Sequence, residues 1–227
     1  MVDNSWMGIN ERGLAIMNTG VSLLMFGGIG LDNGALNAGI VGHCETVEEV
    51  CFELNNSDGP IGTWKRFGGT CVGVIDRFGT GAFIEISGEA AYARYIVDGH
   101  NSQANHPRHH PGYAFGPAGR DKYALDILDE MYAKRGFISV EDAVQNVSRY
   151  VNHKEQGDSF FSISQEMCNE GTQAAMVAVS GDPRHDGKLN CMWDEYGNPP
   201  MVGLYVPSIA YASEPPSILD DFYNEVR

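Results

Sequence analysis

Residues 70–99, TCVGVIDRFGTGAFIEISGEAAYARYIVDG, decide the fold class. The stretch divides into three strand-length runs, separated by the tight-turn sequences DRFG and SGEA. Val72, Val74, Phe83, Ile84, Ile86, Tyr92 and Tyr95 give the runs the β-branched and aromatic character of strands. Turns this short join only antiparallel neighbours, so the stretch predicts a meander.

Upstream, residues 6–10 (WMGIN) and 14–18 (LAIMN) read as two further strands. The turn ERG joins them, and Gly13 is free to take positive φ. Residues 27–42, GGIGLDNGALNAGIVG, contain eight Gly or Asn in sixteen positions and read as a loop. Thr46, with Glu49 three residues on, predicts a capped helix that buries Val47, Val50, Cys51 and Leu54.

Downstream, residues 120–134 predict a helix with Ala124, Ile127, Leu128 and Met131 as its buried stripe, ended by Gly136. Residues 139–152 predict another, capped by Ser139, with Val140, Ala143, Val144, Val147 and Val151 facing inward. AAMVAVSG, LNCMWDEYG and MVGLYVP return to strand, and SILDDFYNEVR reads as a short helix or tail. Strands come in runs and do not alternate with helices, which disfavours a doubly wound parallel sheet. Two antiparallel sheets covered by helices, in one α+β domain over residues 1–227, fit the order.

The 227 residues are enough to bury a core, and 43% apolar with 20% charged is a globular composition. The formal charge of −15 opposes nucleic acid and anionic lipid as partners. No apolar run is long enough to span a membrane. The start, MVDNSWMGIN, has neither the basic nor the apolar region of a signal peptide. Cys44, Cys51, Cys71, Cys168 and Cys191 are odd in number and contain no CxxC pair. They read as reduced structural thiols, and the compartment as cytoplasmic.

Residues 100–112, HNSQANHPRHHPG, hold four histidines, which on composition suggests a metal. Pro107 and Pro111 keep the segment extended, and no carboxylate or cysteine lies nearby in sequence. No metal or cofactor is therefore expected.

GINERGLAIMN (8–18), TVEEV (46–50), SQANHP (102–107) and PAGRDKYALDIL (117–128) together resemble a branch of the N-terminal-nucleophile hydrolases. That branch comprises choloylglycine hydrolase, penicillin V acylase and isopenicillin-N acyltransferase, and the segments follow its order over most of the chain. The resemblance implies a four-layer αββα sandwich. It also implies cleavage or transfer of an acyl group at the linear amide of a small N-acyl compound or peptide, without a metal. By position, Asn18 matches an oxyanion-hole asparagine, Asn105 one that positions the reacting carbonyl, and Arg120 an arginine near the nucleophile. Fixed donors of this kind stabilise the tetrahedral oxyanion of amide cleavage.

The family's nucleophile is a cysteine at the first position of the mature chain, whose own α-amino group is the base. Here Met1, Val2 and Asp3 stand first, and the GINERGL segment begins at residue 8. The first strands, with the nucleophile, are expected to be absent. That expectation leaves a catalytically inactive small-molecule-binding or assembly protein on the same scaffold as the alternative. An open sheet edge is then expected to drive homo-oligomerisation.

Overall fold

The computed structural model describes residues 5–24, 32–59, 61, 69–97, 99–111, 116, 119–149, 172, 174–181, 185, 190–197 and 205–209. Met7–Ile9 (β1) and Ala15–Gly20 (β2) form the first hairpin. Thr70–Ile75 (β3), Gly81–Ile86 (β4) and Ala91–Ile96 (β5) form the meander. All five pair antiparallel in chain order, with β2 joining β3 through Asn18 opposite Val72 and Thr19 opposite Cys71. Ala174–Val179 (β6), Cys191–Tyr196 (β7) and Val206–Ile209 (β8) form a second antiparallel sheet. The protein is therefore α+β with two antiparallel sheets.

The GINERG turn is a structural knot. Asn10 donates through Nδ2 to the carbonyls of Val41 (2.9 Å) and Cys44 (2.8 Å), and its Oδ1 accepts from the amides of Arg12 and Leu14. Gly13 has φ of +90°, and a Cβ there would stand 2.7 Å from Arg77 Cβ, so only glycine fits. The second sheet fastens to the same turn. Ser180 Oγ donates to the Gly13 carbonyl (2.9 Å) and Asn190 Nδ2 to that of Asn10 (3.1 Å).

The glycine-rich stretch is not a loop throughout: Asn33–His43 is a helix (α1). Asp32 caps it by accepting from the Ala35 amide at 2.9 Å. Leu36 and Ile40, four residues apart, are both buried in the core. Glycine weakens a helix by about 1 kcal/mol per residue, and here burial against the sheet outweighs it. Val47–Asn55 (α2) is capped by Thr46, whose hydroxyl accepts from the Glu49 amide at 3.1 Å. Val47, Val50 and Leu54 join Ile16, Val72, Val74, Ile84 and Ile86 in one core beneath both helices.

Arg120–Arg135 (α3) ends at Gly136, which is left-handed with φ of +74°. Of its expected stripe only Ala124 is fully buried; Ile127, Leu128 and Met131 are half-buried. The next helix differs more. Ser139 and Asp142 form a reciprocal capping box on Val140–Asp142 (α4), but the backbone then widens into a π-helix over Ala143–Val147. There the Ser148 amide reaches back to the Ala143 carbonyl at 2.9 Å. Val144 is buried, while Val140, Ala143 and Val147 are half-buried. The last strand overlaps the end of the expected MVGLYVP at Val206 and Pro207, and residues 201–204 of that segment lie outside the described residues. Val151, Cys168 and the segment SILDDFYNEVR lie outside the described residues.

Candidate functional site

The sheet face opposite the helix-covered core carries Cys71, Phe83, Glu85, Tyr92 and Arg94, by the strand register. The histidine segment lies across this face, and Glu85 holds it there. Its carboxylate, fully buried, accepts from three consecutive amides: Arg108 (2.5 Å), His109 (3.0 Å to each oxygen) and His110 (2.6 Å). Arg94 and Arg108 each donate to the Ser102 carbonyl at 3.1 Å. The Arg94 guanidinium also lies 5.1 Å from the centre of the Phe83 ring.

Asp121, in the first turn of α3, is the second buried carboxylate of this region. Arg108 Nη1 stands 3.1 Å from it and His106 Nε2 3.6 Å. Ser102 Oγ lies within hydrogen-bond distance of both its carboxylate and its carbonyl, to either of which its one proton can be given. The histidines meanwhile make separate contacts. His100 meets Asp129 at 2.8 Å, and the His110 ring packs edge-on to Tyr92 with centroids 4.8 Å apart. Among the described residues no group of three or more His, Cys, Asp or Glu is placed to hold a metal ion.

Asn105 and Arg120 come together. Arg120 Nη2 donates to Asn105 Oδ1, and Asn105 Nδ2 donates to the Gly20 carbonyl at the end of β2, 2.9 Å away. They share a cleft of about 200 Å³ with Thr19, Ser102, Gln103 and Asp121. Arg120 opens α3, behind Gly119, which offers no side-chain cap. The cleft therefore presents a guanidinium and a carboxamide at a helix N-terminus, an arrangement suited to a carbonyl or carboxylate oxygen.

Asn18 does not join them. Successive side chains of a strand point to opposite faces. Asn18 lies opposite Val72, half-buried on the face of the sheet that carries the core, and its Nδ2 reaches the Thr70 hydroxyl at 3.4 Å. Its neighbour Thr19 lines the cleft instead. The expected convergence of three residues is thus corrected to two, with the strand's alternation as the reason.

None of the four described cysteines lines the cleft. Burial pushes the Cys44 thiol up to about 12, with Glu49 and Glu53 adding to it. Burial first, then Glu85, raises Cys71, the second residue of β3, which stands opposite Thr19. Burial also raises Cys51 and Cys191. The shift holds each thiol further from the thiolate, which is the nucleophilic form.

The sequence reading missed Glu85, Asp121, Gln103 and Thr19. Glu85 carried a signal, a lone acid between Ile84 and Ile86 in a buried strand, which demands a partner. No protein-family model, curated protein or solved structure matches the chain. No helix among the described residues is long and apolar enough to cross a membrane.

Proposed function

We propose that the chain is a four-layer αββα scaffold of the N-terminal-nucleophile hydrolase type. On this reading the Asn105–Arg120 cleft takes the carbonyl of a small N-acyl compound or peptide, as in hydrolysis or acyl transfer at a linear amide, with the family's cysteine nucleophile supplied by none of the described residues. The observation that carries the reading is the contact between Asn105 and Arg120. Two residues singled out from separate segments meet side chain to side chain in one cleft. Asn105 supplies an amide N–H to the carbonyl oxygen, and Arg120 holds Asn105 while lending positive charge.

A panel of N-acyl amino acids, bile-salt conjugates and penicillin V tests this with the purified chain. Where a substrate is turned over, Asn105→Ala lowers kcat/KM by about 10²–10³, the loss of one oxyanion donor. Full activity in that variant overturns the role.

A second reading, a binding protein without turnover, is favoured by the raised thiols and by the absence of any described cysteine from the cleft lining. On that reading the panel gives saturable binding and no hydrolysis.

The chain is also proposed to self-associate. β5 is the last strand of its sheet, no strand pairs with its outer edge among the described residues, and Val97 beyond it is 80% exposed. Light scattering is expected to give a dimer or larger species; a monomer at micromolar concentration contradicts this.

A further inference from the structure

We propose that Gln103 is the positioning residue for Asn105. Its carboxamide nitrogen donates to the carbonyl of Ala104 at 3.0 Å and to that of His106 at 2.6 Å, the residues on either side of Asn105. Its carboxamide oxygen accepts from Arg94 Nη2 at 3.0 Å. The same guanidinium nitrogen holds the Ser102 carbonyl at 3.1 Å, so the turn is anchored to β5. One side chain therefore ties both flanking carbonyls, and with them the direction in which Asn105 leaves the backbone.

The chemistry fits glutamine and not its acid. The nitrogen end has two hydrogens for two carbonyls, and the oxygen end faces a guanidinium. The reverse orientation would set oxygen against two oxygens and nitrogen against a cation. Asn105 itself is exposed, and among the described residues its own side chain bonds Gly20 and Arg120. The pose of the cleft's amide is thus set through the backbone, by a residue that makes neither of those two bonds. The consequence for ligand capture rests on the proposed function; the positioning itself does not.

The test uses the full chain, ¹⁵N-labelled, with the Asn105 side-chain amide pair identified by its disappearance in Asn105→Asp. Gln103→Glu keeps the Arg94 partner but turns an acceptor toward both carbonyls. Gln103→Ala removes the carboxamide. In Gln103→Glu the Asn105 pair is expected to move to the position of a solvent-exposed asparagine. Its exchange with water is expected to rise about tenfold, the scale of one ordinary hydrogen bond. N-acyl amino acid affinity is expected to fall by about the same factor as in Asn105→Ala. Gln103→Ala gives the same NMR change where it folds, and Gln103→Glu decides the matter where it does not. An Asn105 pair unmoved in a folded Gln103→Glu chain overturns the assignment, even if its melting temperature drops, because stability alone is the mark of a merely structural role. A moved Asn105 pair in a protein that binds no N-acyl compound upholds the positioning and refutes the acyl reading, so the two failures are separable.

Discussion

Glu85→Ala is expected to cost about 3–5 kcal/mol: three loop amides lose an acceptor whose hydrogen bonds contribute about 1.5–3 kcal/mol each, and the freed amides recover part of that sum from water. Glu85 is the penultimate residue of β4, and its carboxylate is the acceptor for the amides of Arg108, His109 and His110. For a chain of this size the loss corresponds to a fall of about 10 °C in melting temperature. Glu85→Gln separates the hydrogen-bonding account from simple packing. Glutamine fills the same space, but its nitrogen faces amide donors where an oxygen is required. It is expected to recover less than half of the loss, and amides 108–110 are expected to lose protection from hydrogen exchange in both variants. Full recovery by glutamine would refute the account of how this loop is held.

Arg108→Met is expected to cost a similar amount, about 3–5 kcal/mol, because it leaves the fully buried carboxylate of Asp121 without its cation. Removing one partner of a buried pair is far more damaging than replacing both with apolar groups. The double variant Arg108→Met, Asp121→Leu is therefore expected to be more stable than Arg108→Met alone. The Ser102 hydroxyl still has the residue 121 carbonyl, 2.8 Å away, as its acceptor in that chain. Urea midpoints of the two variants measure the difference. A double variant no better than the single one would mean that the pair is not what stabilises this corner.

The strand meander and the first hairpin were legible because their signals are local. Period-two alternation and the turns at Gly13 and Gly79 need no distant partner to be recognised. α1 was not legible, since its glycines argue against a helix and the burial of Leu36 and Ile40 that overrides them is a long-range fact. The same division runs through the site. Asn105 and Arg120 could be picked from sequence, and they meet. Asn18 could also be picked, but which face of β2 it occupies depends on the strand's register against β3. Glu85 and Asp121 do their work through amides and guanidiniums far away in sequence, which no motif records.

The most direct test of the central claim is titration of an N-acyl amino acid into four proteins: the parent chain, Asn105→Ala, Arg120→Gln and Asn18→Ala. The expected result is saturable binding by the parent, weakened about tenfold by each cleft substitution, the scale of one lost hydrogen bond, and changed less than twofold by Asn18→Ala. Binding that is indifferent to Asn105 and Arg120, or that depends on Asn18 as strongly as on them, would contradict the cleft as the ligand site.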